Sequence, residues 1–238
     1  MKRLLDAGGK MKKEKCTFGA SSITYLGHGI DAKGLYPLKA IVKAIVEAPV
    51  PGYLQELKSY LGLLNYFGKF LPNLSSLFVL LNHLTKKGVV YRWFEAQNQA
   101  YQKSKQLLLS DDVVLVHFDP SKELILACDA SPYMVGSVLT QIMEGVLEHP
   151  IEFSSRTLTP AEPRYSHWDK EAFAIVVGVK LFHQYIFERT FTGVTDHKPL
   201  LGLLDETKAV PQMVSLRFLR WWLTLAAYNY SLQYKAGN

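Results

Sequence analysis

Cysteine is nearly absent from this sequence. Cys16 and Cys128 are the only two, far apart in the 238 residues. Such a pair builds no disulfide framework; it fits a reducing compartment, with each thiol read as a small packing residue. Long apolar runs are missing as well, since none reaches the roughly 18 residues that a membrane-spanning helix needs. Met1 to Lys15 is basic but has no apolar centre, so no secretory signal is expected and a cytoplasmic or nuclear setting is. There is no internal repeat and no low-complexity stretch. What remains is the composition of an ordinary globular protein, 48% apolar and 20% charged. Its length suits one large domain or two small ones.

The net charge of +6 is unevenly spread. Residues 1–110 hold 16 Lys and Arg against 6 Asp and Glu, a net of +10, whereas residues 111–238 hold 11 against 15, a net of −4. A basic front half suits a polyanionic partner, and an acidic back half collects carboxylates. Basic surfaces that bind nothing are common, so charge alone leaves nucleic acid and a plain solvated face both open.

Ile23 to Leu26, ended by Gly27 and Gly29, reads as a short strand and turn. Residues 38–48 suit a helix stopped by Pro49 and Pro51. Gln55 to Phe70 is a second helix, with Leu57, Leu61, Leu64 and Phe67 on one apolar stripe, and a third covers about 94–109. From about residue 113 short strands take over. Val113 to Phe118 precedes the Asp119-Pro120 turn, and Glu123 to Cys128 is apolar enough for a strand covered on both faces. Residues 134–142 and 150–156 read as two more strands, and Glu162 to Phe187 as mostly helix. Thr190 to Thr195 is a strand, 212–228 a helix and Tyr230 to Tyr234 a last strand. The expected fold is mixed α/β: a small helical region over 1–110, then a sheet domain over 111–238.

Three carboxylates stand where such elements end or pack. Asp129 follows the apolar strand, Asp196 follows Thr195, and Glu171 adjoins the apolar helical run Ala172 to Val177. A carboxylate beside buried structure needs pairing, hydrogen bonds or a metal. If the strands are neighbours under the helix, the three meet at one sheet edge, an oxygen-rich set that suits Mg²⁺ or Mn²⁺. An Asp at a strand end is more often a turn former or helix cap, and Glu171 alone reads as a plain helix residue. His167 and Glu171, four apart on a helix, could share zinc, but no third ligand is evident. Asp111-Asp112 resembles the paired aspartates of a polymerase hairpin but lacks the preceding aromatic, and is read as a loop. Phe218, Trp221, Trp222 and Tyr228 could stack bases, although their helical spacing equally suits a core.

The motifs decide the family. Tyr25-Leu26-Gly27-His28, Glu56 through Tyr66 (ELKSYLGLLNY) and Phe70-Leu71-Pro72-Asn73-Leu74-Ser75 resemble the thumb region of Gypsy-type reverse transcriptases. Ala127-Cys128-Asp129-Ala130-Ser131-Pro132-Tyr133 is similar to the first catalytic strand of the ribonuclease H of those elements. Phe153 to Leu158, Tyr165-Ser166 with Lys170-Glu171, and Thr195-Asp196-His197-Lys198-Pro199-Leu200 continue the likeness in order, as do Arg217 to Trp221 and Tyr234 to Asn238. The resemblance covers essentially the whole chain. It implies a reverse-transcriptase thumb and connection over 1–110 and an RNase H-like domain over 111–238.

It further implies that Asp129, Glu171 and Asp196 hold two divalent ions, Mg²⁺ or Mn²⁺, and that water attacks the RNA strand of an RNA–DNA hybrid. Lys58, Lys69, Arg156 and His197 are the residues expected to contact nucleic acid, and other polyprotein segments are the expected protein partners. Two departures bear on activity. The family's polymerase core lies upstream of residue 1, and its last ligand-bearing helix lies beyond Asn238, so the resemblance implies no DNA synthesis and little cleavage by these 238 residues. The alternatives are a catalytically dead relic that binds nucleic acid and a protein-interaction module. Met134 also stands where the family has Gly, and a positive φ there would strain the turn after Asp129.

Overall fold

A computed structural model describes residues 3, 6–10, 12–72, 74–109, 114–143, 147–204 and 215–236. Asp111-Asp112, the boundary at 110/111 and the start of the 212–228 helix lie outside the described residues. A three-stranded antiparallel sheet comes first: β1 (Ser22–Tyr25), β2 (His28–Asp31) and β3 (Gly34–Pro37). Its β1–β2 turn places Leu26 at φ 45° and Gly27 at φ 75°. The Tyr66 hydroxyl donates to the Leu26 carbonyl and pins this strained turn.

Helices α1 (Lys39–Glu47), α2 (Leu54–Tyr66), α3 (Leu74–His83) and α4 (Glu95–Leu108) follow. The apolar stripe on α2 is buried as the spacing predicts, with Leu57 and Leu64 fully enclosed. That helix ends at Tyr66, however, and Gly68–Phe70 is a separate 3-10 turn. Helix α3 was not expected from sequence: its Leu74-Ser75-Ser76-Leu77-Phe78-Val79-Leu80-Leu81 run is too uniformly apolar to show a period. The Tyr101 hydroxyl donates to the Ala48 and Pro49 carbonyls, and Lys105 Nζ donates to Ala48 at 2.6 Å, tying α4 to the end of α1.

The second sheet has five strands in the order β6-β5-β4-β7-β8. They are β4 (Leu124–Ala130), β5 (Met134–Met143), β6 (Leu147–Thr157), β7 (Thr190–Thr195) and β8 (Asn229–Tyr234). β4, β5 and β6 pair antiparallel, whereas β4–β7 and β7–β8 are parallel. The parallel steps are crossovers through helix: α5 (His167–Leu181) and the short α6 (His183–Ile186) precede β7, and α7 (Leu200–Leu203) and α8 (Leu216–Leu225) precede β8. Ser166 caps α5 through the Asp169 N–H, and Ser215 caps α8 through that of Phe218.

Leu124, Leu126 and Cys128 on β4, Val135 and Leu139 on β5, and Phe191 on β7 form one core with Ala172, Ile175 and Val179 of α5 and Phe218 of α8. Phe218 and Trp221 are buried in that core, and Trp222 and Tyr228 pack against it, so the aromatic cluster is structural. Among the described residues 114–118 of the strand expected at 113–118, only Leu115 bridges, to Leu35 of β3, with the Val116 N–H donating to Pro150. Its pairing partner lies in the front half of the chain, beyond any local pattern. The two halves also meet through α3, where the Ser75 hydroxyl donates to that of Ser155 on β6 at 2.6 Å. No helix among the described residues is long and apolar enough to cross a membrane.

Met134 corrects an expectation. It opens β5, is buried, and does not adopt positive φ. The Ser131 hydroxyl accepts from the Met134 N–H, and the Ser131 N–H donates to the Met134 carbonyl, closing the turn after Asp129 with an ordinary backbone.

Candidate active site

Register brings the two aspartates level. Ala127 pairs with Val194 in the parallel β4–β7 ladder, so Asp129 and Asp196 each stand two residues further along adjacent strands. Asp129 lies just inside the end of β4, and Asp196 immediately follows β7; both are exposed. Glu171 comes from the second turn of α5, which packs on β4, and is only 3% exposed. Burial first, and then the charges of Asp196 and Asp129, push its carboxyl up to about 8 from 4.5. The Cys128 thiol is likewise raised, by burial and then by Glu171 and Asp129. The buried Glu171 carboxyl thus senses the charge of both aspartates.

These donors suit a hard divalent cation. All three are carboxylates, two open to solvent, and a cation among them would offset the burial and the aspartate charges that raise the Glu171 carboxyl. Among the described residues no three His, Cys, Asp or Glu side chains stand grouped so that they could hold a metal ion. His167 Nε2 lies 4.0 Å from Glu171 Oε1, and the His167 and His197 rings are 5.6 Å apart. The approach of His197 to His167 had no signal in the sequence, because it depends on the loop after β7. The His197 N–H donates to Thr195 Oγ1, while its Nδ1 is buried without a hydrogen-bond partner.

The other selected residues are dispersed. Lys58 is exposed on α2. Lys69 and Arg156 line one cleft of about 450 Å³ between Gly68–Phe70 and β6. Burial lowers the Lys69 pKa, and Glu152 partly offsets that. Arg156 donates through Nη2 to both Glu162 oxygens, at 2.9 and 3.0 Å, and its guanidinium lies 5.0 Å from the Phe173 ring. Burial opposes ionisation of Glu162, yet the Thr159 N–H and Arg156 hold its pKa below the usual value. Arg156 is thus engaged internally. Glu162→Gln is expected to lower stability by about 1–3 kcal/mol, since it leaves a half-buried guanidinium without its counter-charge. Urea denaturation at neutral pH measures this, and an unchanged midpoint would refute the assignment.

The family described as the RNase H-like domain found in reverse transcriptase matches residues 119–228. The Transposon Tf2-3 and Tf2-4 polyproteins of Schizosaccharomyces pombe are each 34% identical to this chain over 241 residues, covering 100% of it. The chain is similar over its whole length to retroelement polyproteins, and over residues 119–228 to the reverse-transcriptase RNase H-like domain. It spans 18% of the length of those relatives. Among solved structures, foamy viral protease-reverse transcriptase dRH in complex with dsDNA aligns with 100% of this chain and 42% of its own, with TM-score 0.75 and 21% identity. The foamy viral protease-reverse transcriptase in complex with RNA/DNA hybrid aligns with 93% of this chain and 30% of its own, with TM-score 0.70 and 19% identity. At such identities the likeness is one of fold.

Proposed function

We propose that this chain carries a metal-dependent ribonuclease site that hydrolyses the RNA strand of an RNA–DNA hybrid, with Asp129, Glu171 and Asp196 as ligands. The observation that carries the reading is the β4–β7 register that sets Asp129 and Asp196 level, beneath the helix that packs on β4 and carries the buried Glu171. Residues 1–110 are the reverse-transcriptase thumb and connection region in this reading, and 111–238 the RNase H-like domain. The setting is cytoplasmic or nuclear, with the remaining polyprotein segments as protein partners.

Divalent ions held by the three carboxylates supply water activation and charge stabilisation for phosphodiester hydrolysis. Asp129 and Asp196, exposed on rigid strand ends, present their oxygens to the substrate side. Glu171 closes the site from the helix side and keeps bulk water off that flank. The basic front half, with Lys58 and Lys69, attracts the hybrid's backbone without reading sequence. His197, next to Asp196 and with its ring 5.6 Å from that of His167, is proposed to meet a phosphate.

The test is incubation of the chain with Mg²⁺ or Mn²⁺ and a hybrid labelled on each strand in turn. Cleavage of RNA alone supports the reading; binding without cleavage points to a relic that only holds nucleic acid. Hybrid binding itself is expected to weaken steeply with salt. A fluorescence-anisotropy Kd that does not change between 50 and 200 mM salt (roughly the range over which phosphate contacts are lost) would remove the electrostatic part of the proposal.

A further inference from the structure

Gly178 sits inside α5, where glycine costs about 1 kcal/mol relative to alanine. It does not adopt positive φ, so the backbone does not demand it. Contact does. A Cβ added there would stand 2.8 Å from Cys128 Sγ, and 3.3 Å from both Leu126 Cδ1 and Ser137 Cβ. The helix backbone therefore rests directly on β4 and β5. Glu171 lies seven residues upstream, two turns along the same face of α5. Cys128, the residue it rests on, immediately precedes Asp129.

We infer that Gly178 is a positioning residue: by letting α5 seat against Cys128, it fixes the separation of Glu171 on the helix from Asp129 on the strand, and with it the affinity for a divalent cation. The inference rests on the reading of the three carboxylates as metal ligands. A methyl group at 178 has to lift the helix or displace the Cys128 sulfur, because Leu126 and Ser137 close the other sides. Lifting α5 carries Glu171 away from the sheet edge. Displacing Cys128 turns the strand that carries Asp129. Both outcomes disturb the ligand set without touching any ligand.

Mn²⁺ titrated calorimetrically into the wild-type chain, Gly178→Ala, Cys128→Ala and the double variant tests this, with the melting temperature of each recorded. Gly178→Ala is expected to bind Mn²⁺ about 10-fold more weakly, the usual size of an outer-shell effect. Cys128→Ala stays near wild type. The double variant regains most of the affinity, because loss of the sulfur makes room for the methyl, even though it gains no packing. That rescue is what simple destabilisation does not produce. If Gly178→Ala fails to fold, the double variant decides: near-wild-type affinity supports the role, and weak affinity overturns it. Equal affinity in wild type and Gly178→Ala overturns the positioning role and leaves the metal reading standing. A folded wild-type chain that takes up no Mn²⁺ overturns both.

Discussion

Glu171→Gln raises the melting temperature of the metal-free chain at pH 8, and the gain vanishes near pH 4. The Glu171 carboxyl titrates at about 8 in the fold against 4.5 ordinarily, with burial as the largest cause. The folded state therefore holds this proton more tightly than the unfolded state. Protonation favours folding, so stability is greatest below about pH 4.5 and falls as pH rises toward 8. Glutamine keeps the shape and never ionises. Relief on the order of 3 kcal/mol follows at pH 8, or about 5–10 °C for a chain of this size. Added Mg²⁺ reverses the ranking: it stabilises wild type, increasingly so as pH rises and the proton leaves, and does little for the glutamine variant. Differential scanning fluorimetry across pH, with and without Mg²⁺, checks both halves. A wild-type chain at least as stable as the variant at pH 8 without metal would remove Glu171 from the proposed site.

Asp129→Asn and Asp196→Asn each lower the rate of RNA-strand cleavage by about 10³-fold, equivalent to roughly 4 kcal/mol of transition-state stabilisation. Each aspartate contributes an exposed oxygen donor from a strand end, and an amide neither carries the charge nor holds a hard cation as well. Because both side chains are exposed, neither substitution disturbs the core, and melting temperatures without metal stay within a few degrees of wild type. The two losses are far from additive, since either one dismantles the same site. Single-turnover cleavage of a labelled hybrid measures them. Retention of more than about a tenth of the rate in either variant would exclude that residue as a ligand.

How much of this was legible in sequence depended on whether the deciding contacts were local. Thr190–Thr195 is a strand with the expected bounds, because its β-branched Thr and Val residues and Phe191 are a short-range β signal. The apolar run to Cys128 is a strand, extending through Asp129 to Ala130, because it is enclosed by α5 on one face and paired on both edges. Helix α3 stayed hidden because apolar residues on nearly every side erase the period that marks an amphipathic helix. The 113–118 strand failed for the opposite reason: its β pattern is real, but Leu115 finds its partner some 80 residues earlier, at Leu35. In the candidate site, the two aspartates were recognisable from motif and from position at strand ends. The level register that puts them side by side is a property of the β4–β7 ladder. Glu171 was marked in sequence by the apolar run Ala172 to Val177 beside it and by the Lys170-Glu171 motif, but its burial comes from α5 lying on β4.

The most direct measurement is an anomalous difference map from crystals of the chain grown with Mn²⁺. The proposed site predicts a peak enclosed by the carboxylates of Asp129, Glu171 and Asp196, absent from crystals of Asp129→Asn. A map with no peak at that edge, or with Mn²⁺ bound elsewhere while the three carboxylates stay free, would contradict it.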